Sequence, residues 1–339
     1  AAGAAPAERA AAEGRPSPGR TLLARVQDFQ TGLTLGAGYR RGHSISGGAD
    51  GDVFRATVTV PLMLGGRGEV AIKHMRMTSA TIQKHALQEI SCVFLARRRY
   101  AQETGSESAV GHPHIVSYLD WFCGPNGPDR ELFLVMECCP FAVSDAVYAA
   151  AGMRSQYERR CAERRPAARS PRTPTGPPGC SSAPDATLYR FPEHEVFRLL
   201  HQMLLALAFL NRSGIVHRDV KSENILWAPA REGLESSYKL ADFGLAARLA
   251  ESRKCAGDKN CGTLWTMAPE LLGRRAHGPN CDVWSLGVVV FEVAVLEKPF
   301  ASKELLAFKN SLAAAEEGTF WSAMSEGFAA SGPPLPATP

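Results

Sequence analysis

HRDVKSEN is the sequence of residues 217–224, and the triplets DFG and APE follow it at 242–244 and 268–270. The first of these motifs comes directly after a run of apolar residues with helical spacing over 193–211. Each motif is short enough to occur by chance in an unrelated chain. Their order along one chain is much more specific, so this part of the sequence decides the fold.

A second group of motifs lies nearer the N-terminus. Residues 45–53 form a glycine-rich turn, ISGGADGDV, between two strand-like runs. Glycines in such a turn let backbone N–H groups approach phosphate oxygens, although an ordinary hairpin turn has the same pattern. The next predicted strand carries Lys73, and the amphipathic helix predicted over 81–98 carries Glu89. These two side chains are able to form a buried ion pair that contacts nucleotide phosphates, or a plain surface salt bridge.

Taken together and in this order, the motifs resemble those of the eukaryotic protein kinase family, and of its Ser/Thr type. The resemblance covers roughly residues 43–300. It implies an α+β, bilobal fold with a small β-rich N-lobe that has one key helix and a mainly helical C-lobe. The expected boundaries are 35–139 for the N-lobe and hinge and 140–310 for the C-lobe. Only 39 residues follow Phe300, fewer than the family has, so the C-lobe is expected to be truncated or divergent.

The resemblance assigns roles to five residues of the reaction itself. Lys73 is expected to contact the α- and β-phosphates of ATP and to pair with Glu89. Asp219 is expected to accept or orient the proton of the acceptor hydroxyl, and Lys221 to offset charge on the transferred phosphate. Lys221 is typical of Ser/Thr kinases, and Thr263 supports that choice because its hydroxyl is expected to bond to Asp219 and Lys221.

The resemblance also assigns the metal and nucleotide sites. Asn224 and Asp242 are expected to hold Mg²⁺ with their side-chain oxygens. The expected ATP-binding residues comprise the glycine-rich turn, the positions around adenine, the phosphate-binding lysine, the gatekeeper and the hinge: Ile45, Ser46, Gly47, Gly48, Ala49, Asp50, Gly51, Val53, Ala71, Lys73, Met136, Glu137, Cys139 and Leu226.

A further expectation from the family concerns an apolar column of side chains. His217 and Phe243 are expected to stack there with Val93 and Tyr118, and Asp282 is expected to anchor the column. In this column Tyr118 has the role of an apolar packing residue.

Two functional hypotheses from different classes follow. The first is an ATP- and Mg²⁺-dependent protein Ser/Thr kinase, which the retained motif residues favour. The alternative is a pseudokinase-like scaffold or binding protein with weak or no catalysis. It is motivated by Ser46, which replaces the first glycine of the turn, and by Asp50, a carboxylate at the tip of a phosphate-binding loop.

Composition limits the class of protein. The chain has 339 residues, of which 45% are hydrophobic and 21% charged, so it is neither collagen-like nor wholly disordered nor a multi-span membrane protein. Its longest apolar stretch is too short to span a bilayer. Residues 151–187 hold seven Arg and six Pro with few apolar residues, so a disordered insertion that binds partners is predicted there. A flexible tail is predicted over 1–34, and an incomplete or disordered segment over 311–339.

Charge and cysteine usage add expectations about partners and location. The insertion 151–187 accounts for the whole formal net charge of +4, so nucleic acid is not an expected partner. Protein substrates are the partners that the family resemblance implies. The nine cysteines include no C-x-x-C pair, which indicates reduced thiols. An intracellular location, cytoplasmic or nuclear, is therefore expected.

Overall fold

The computed structural model describes residues 38–48, 51–59, 68–105, 111–123, 131–163, 191–230, 235–249, 262–272 and 275–299. The expected tail 1–34 and the segment 311–339 lie outside these ranges. By their internal contacts the described residues form two compact units. The first unit comprises 38–112 and 116–139, and the second comprises 113–115 and 140–299.

A five-stranded antiparallel sheet forms most of the first unit, with strand order β1-β2-β3-β5-β4. The middle strand of this order is buried over all but its two terminal residues. One face of the sheet carries a core of eight fully buried side chains, which includes Phe54, Ile72 and Phe133. The strands are β1 Tyr39–Gly48, β2 Gly51–Val58, β3 Glu69–Arg76, β4 Tyr118–Cys123 and β5 Glu131–Glu137.

One long helix, α1 Ala80–Thr104, belongs to the same unit. The Ser79 hydroxyl caps its first turn by accepting a hydrogen bond from the N–H of Ile82 at 3.3 Å. Gly105 ends the helix in the left-handed conformation, with φ 65°. The helix predicted over 81–98 is thus confirmed, and it continues for a further turn and a half.

Helices form most of the second unit: α2 Val143–Glu163, α3 Glu193–Arg212, the short α4 Pro269–Leu272 and α5 Asn280–Val295. The apolar helix predicted over 193–211 corresponds to α3. The other predicted helix, 280–296, corresponds to α5, which ends because Leu296 adopts φ 63° and donates its N–H to the Glu292 carbonyl. No helix in the described part of the chain is long and apolar enough to cross a membrane.

The predicted start of the insertion at residue 151 is wrong. Helix α2 continues through residue 163, because this stretch is rich in Ala, Arg, Glu and Gln, which favour helix even where few apolar residues are present. Arg154 also ties the helix to the end of α5, where its guanidinium donates to the Val295 carbonyl at 3.1 Å. The remainder of the predicted insertion, 164–187, lies outside the described residues.

Short strands connect the helices of the second unit. Strands β6 Phe141–Ala142, β8 Ile225–Ala228 and β9 Ser237–Leu240 form one sheet in the order β6-β8-β9, and β7 Ile215–Val216 pairs with β10 Ala247–Arg248. The hairpin β8–β9 pairs Ile225 with Leu240. It thereby brings the residues before β8 beside those after β9. Together with the sheet of the first unit, these elements confirm the predicted α+β class.

Candidate active site

The register of the first sheet gathers several predicted site residues on one face. Val53 of β2 lies opposite Lys73 of β3, and Ala71 of β3 lies opposite Met136 of β5. Directly opposed residues share a face of the sheet, as do residues two apart in one strand. Val53, Ala71, Lys73 and Met136 therefore share the face of the sheet opposite to the core around Phe54.

An ion pair on this face joins strand β3 to helix α1. The Lys73 ammonium lies 2.9 Å from Oε2 of Glu89, and both side chains are buried. The pair predicted from the sequence is confirmed, and the alternative of a surface salt bridge is wrong. A buried, hydrogen-bonded ion pair of this kind holds the ammonium in a fixed position.

The glycine-rich turn is the connection of the hairpin β1–β2. Its strands pair Ser46 with Val53 and Gly48 with Gly51, and Ile45 and Gly47 are exposed. Gly51 has φ 142°, and a Cβ there would lie 2.3 Å from the His74 carbonyl oxygen. Only glycine fits at this position. Ala49 and Asp50, at the tip of the turn, lie outside the described residues.

The predicted gatekeeper, Met136, lies near the end of β5, and the predicted hinge, Glu137 to Cys139, begins at its last residue. The buried Glu137 forms a two-point link to Ser117: its N–H donates to the Ser117 carbonyl at 2.9 Å, and its Oε1 accepts from the Ser117 N–H at 2.7 Å. The backbone of Glu137, which the family resemblance assigns to adenine, is thereby fixed. Cys139 is buried, as is Met136.

In the second unit, three donors converge on the carboxylate of Asp219. The Thr263 hydroxyl donates to Oδ1 at 2.7 Å, the Lys221 ammonium lies 2.8 Å from Oδ2, and the Asn224 amide donates to Oδ2 at 3.1 Å. The expected link among Thr263, Asp219 and Lys221 is confirmed, since Lys221 also donates to the Thr263 oxygen at 3.1 Å. A carboxylate has about four acceptor positions, and the residues that the structure describes fill three of them, which suits a substrate hydroxyl at the fourth.

The loop that carries Asp219 is anchored to helix α5. The buried carboxylate of Asp282 accepts the N–H of His217 at 2.8 Å and that of Arg218 at 2.7 Å. Arg218 adopts φ 68°, a left-handed conformation that these bonds help to hold. Burial raises the pKa of Asp282, and the nearby His217 acts in the opposite direction. The anchor expected from the sequence is confirmed, as is the contact of the His217 and Phe243 rings, whose centroids are 4.9 Å apart.

Gly262 allows Thr263 to reach this loop. It has φ 101°, and a Cβ there would lie 2.6 Å from the Arg218 carbonyl oxygen. Any other residue would push the segment away from the loop. The position of the Thr263 hydroxyl against Asp219 therefore depends on the glycine that precedes it.

Two residues with side-chain oxygens that suit a metal ion lie at the open end of the hairpin β8–β9. Asn224 precedes β8, and its backbone carbonyl accepts the N–H of Ala241 at 2.8 Å. Asn224 therefore lies close to Asp242, the residue that follows Ala241. Because the Asn224 nitrogen donates to both the carbonyl and Oδ2 of Asp219, the amide oxygen of Asn224 is left as an acceptor. Asp242 is partly exposed, with φ 63°. An amide oxygen and a carboxylate are the ligands that Mg²⁺ prefers, so this pair fits the metal.

Leu226, the last predicted nucleotide-binding residue, lies on β8. It pairs with Ala142 of β6 on one side and Lys239 of β9 on the other. Its side chain is half-buried. Leu226 thus lies two residues after the metal-ligand candidate Asn224, which immediately precedes the strand.

Sequence reasoning missed two contacts in the first unit. Tyr118 was expected to be an apolar packing residue, but its hydroxyl donates to Oε1 of Glu89 at 2.8 Å. Glu137 was expected to act through its backbone, but its carboxylate also binds the Ser117 N–H. The signal in each case is a polar atom on a side chain at a position that is predicted to be buried, because a buried polar atom needs a partner.

Comparison with known proteins gives a family match for part of the chain. Residues 184–327 match the model of the protein kinase domain. The matched range includes Asp219, Asn224, Asp242 and Thr263. Lys73 and Glu89 lie outside it.

Several known proteins are similar in sequence to stretches of this chain. Serine/threonine-protein kinase pak-1 of Caenorhabditis elegans is 29% identical over 269 residues, which cover 79% of this chain and 35% of that protein. Serine/threonine-protein kinase PAK 1 of Mus musculus is 36% identical over 114 residues, or 34% of this chain and 20% of that protein. Ribosomal protein S6 kinase alpha-6 of Mus musculus is 40% identical over 128 residues, or 38% of this chain and 16% of that protein. The chain spans about a third or less of the length of these relatives.

Proposed function

Because the chain belongs to the eukaryotic protein kinase family, we propose that it transfers the γ-phosphoryl group of ATP to Ser and Thr hydroxyls of protein substrates. The observation that carries the proposal is the Asp219 carboxylate, on which the side chains of Lys221, Thr263 and Asn224 converge. In the reaction, the acceptor oxygen forms a bond to the γ-phosphorus while the bond from that phosphorus to the β,γ-bridging oxygen breaks. The products are a phosphoprotein and ADP.

Asp219 is the proposed base. The hydroxyl of the substrate donates to its carboxylate and transfers its proton there as the new O–P bond forms. Lys221, 2.8 Å from the same carboxylate, places a positive charge where negative charge moves with the phosphoryl group. Thr263 keeps the carboxylate and the ammonium in fixed relative positions.

Lys73 is the proposed contact to the α- and β-phosphates. Its ammonium is held 2.9 Å from Oε2 of Glu89, and a cation fixed in this way suits contact with phosphate oxygens. Gly51 allows the glycine-rich hairpin to lie close to β3, where Lys73 is located. Val53, Ala71 and Met136 supply apolar surface on the same face of the sheet, which suits an adenine ring.

Asn224 and Asp242 are the proposed ligands of Mg²⁺. When bound, the metal ion neutralises charge on the phosphate oxygens. Asn224 is oriented for this role by its two hydrogen bonds to Asp219. Asp242 is held at the end of the hairpin β8–β9, and its Oδ1 accepts the N–H of Gly244 at 3.3 Å.

The proposed acceptor is Ser or Thr. Lys221 and Thr263 support this choice, and the relatives that match are named Ser/Thr-protein kinases or an S6 kinase. We also propose an intracellular location, cytoplasmic or nuclear, for which the cysteine spacing of the sequence, without a C-x-x-C pair, is the support. Residues 164–187 are a proposed site for partners, for which the sequence composition is the support.

Transfer of labelled phosphate tests the proposal. We expect the full chain to transfer the label from γ-labelled ATP to myelin basic protein when Mg²⁺ is present. Asp219→Asn and Asp242→Asn should each lower the rate by at least 1000-fold, because each removes a charge that acts on the reacting groups. Asp145→Asn, an exposed position outside the site in the same unit, is the matched control and should leave the rate unchanged. Equal inactivity of wild type and Asp242→Asn would instead favour a scaffold.

A further inference from the structure

Tyr118 places a phenol hydroxyl beside the ion pair of the first unit. Its hydroxyl donates to Oε1 of Glu89 at 2.8 Å, while Oε2 of the same carboxylate lies 2.9 Å from the Lys73 ammonium. The three side chains come from β4, α1 and β3. A single carboxylate therefore connects the helix to two strands of the sheet.

All three side chains are removed from water. Glu89 is 0% exposed, Tyr118 is 5% exposed and Lys73 is 6% exposed. In such surroundings a hydrogen bond to a charged group is strong, and a carboxylate oxygen that loses its donor is not compensated by solvent. Tyr118 lies opposite Met136 in the register of β4 with β5, and it therefore shares the sheet face of Lys73. The position of its hydroxyl is set by the sheet itself.

The two bonds fix the orientation of the Glu89 carboxylate. A carboxylate bound through one oxygen is able to turn about its last side-chain bond, and the partner ammonium then follows it. Donors on both oxygens prevent this rotation. The position of the Lys73 ammonium is thereby determined by Tyr118 as well as by Glu89.

We propose that Tyr118 is a positioning residue for phosphoryl transfer, whose hydroxyl fixes the Glu89 carboxylate and, through it, the Lys73 ammonium. The proposal rests on the proposed kinase function. Tyr118 contacts neither the nucleotide phosphates nor the acceptor in this role. Its effect passes through Glu89, which distinguishes it from an ordinary packing residue.

The first test is Tyr118→Phe in the full chain, which removes one oxygen and keeps the ring. We expect kcat/KM for ATP to fall about tenfold and KM for myelin basic protein to stay unchanged, because Lys73 acts on ATP. Tyr39→Phe is the matched control. Tyr39 is equally buried in the same unit, and its hydroxyl lies 3.4 Å from Oδ2 of Asp120, away from the ion pair. The control should keep kcat/KM for ATP within twofold, and equal losses in the two variants overturn the proposal.

A double variant separates positioning from packing. If Tyr118 acts through Glu89, its hydroxyl has no role once the carboxylate is removed. In a Glu89→Ala background, Tyr118→Phe should therefore cause no further loss of affinity for a fluorescent ATP analogue, and a further tenfold loss overturns the proposal.

A measurement independent of catalysis separates this proposal from the proposed function. Acetylation of Lys73 by an amine-reactive ester, followed by mass spectrometry, should be several-fold faster in Tyr118→Phe than in wild type or Tyr39→Phe. Faster acetylation in a chain that transfers no phosphate supports the role of Tyr118 in holding Lys73 and overturns the kinase function. Normal transfer with unchanged acetylation and unchanged kcat/KM overturns the role of Tyr118 alone.

Discussion

Thr263 has a hydroxyl that takes part in two hydrogen bonds at once. It donates to Oδ1 of Asp219 at 2.7 Å and accepts from the Lys221 ammonium at 3.1 Å. A group that donates to an anion and accepts from a cation aligns the two charges, because each bond strengthens the other. Thr263 thus links the proposed base to the charge that assists it, although it does not itself take part in proton transfer.

Thr263→Val tests this link by replacing the hydroxyl with a methyl group. The variant keeps the shape of the side chain and removes both bonds, and hydrogen bonds to charged groups contribute about 1.5–3 kcal/mol each. We expect kcat to fall by roughly 10- to 100-fold, with little change in KM for ATP. Thr263→Ser should retain most of the activity, and Thr104→Val, at the exposed end of helix α1, should have no effect. Full activity of Thr263→Val would contradict the role assigned to the hydroxyl.

Helix α5 contains a buried carboxylate in an otherwise apolar stretch. Glu292 is 6% exposed, and burial raises its pKa, with Ser222 offering a hydrogen bond that acts in the opposite direction. The neighbouring carboxylate of Glu223 adds to the rise. The folded chain therefore favours the protonated form of Glu292 more than the unfolded chain does.

The sign of the pH dependence follows from this shift. For a carboxyl whose pKa is higher in the folded state, stability is present below the ordinary value of 4.5 and is lost as pH rises through the folded pKa. Glu292→Gln keeps an acceptor for Ser222 and removes the charge. We expect thermal unfolding at pH 7 to occur a few degrees higher in this variant than in wild type, and the difference to vanish at about pH 4. Glu297→Gln, at an exposed site just beyond the helix, is the control.

At the scale of the whole chain, the residues of the proposed reaction are distributed over both units. Lys73 and Glu89 belong to the first unit, and Asp219, Asn224 and Asp242 belong to the second. A ligand that binds the folded chain and not the unfolded chain stabilises it by an amount set by its concentration relative to its Kd. Nucleotide binding should therefore be visible in the unfolding of the chain.

Magnesium and ATP together should raise the melting temperature of the full chain. At 100 times Kd the stabilisation is about 2.7 kcal/mol, which corresponds to several degrees. Addition of EDTA should remove most of the shift, because Asn224 and Asp242 then lose the ion that they are proposed to share with ATP. Lys73→Ala and Asp242→Asn should each reduce the shift. A wild-type chain whose melting temperature does not respond to magnesium and ATP would contradict nucleotide binding.

The sequence predicts those parts of the fold that depend on local pattern. Helices α3 and α5 were located to within a residue because their apolar positions recur with helical spacing. The end of α2 was missed because the absence of apolar residues was taken as absence of helix, whereas propensity and the Arg154 contact to Val295 extend it. The bond from Tyr118 to Glu89 joins residues 29 positions apart, and no local pattern encodes it.

The hairpin β8–β9 also bears on the order in which the second unit assembles. Closing it brings Asn224 to Ala241, whereas the bond from His217 to Asp282 joins residues 65 positions apart, almost four times that separation. The longer closure costs about 1 kcal/mol more in chain entropy. We expect the two metal-ligand candidates to come together early in folding, and the loop with Asp219 to be fixed only when α5 packs. A chain that lacks α5 would then still bring Asn224 and Asp242 together, but Asp219 would not be held in a fixed position.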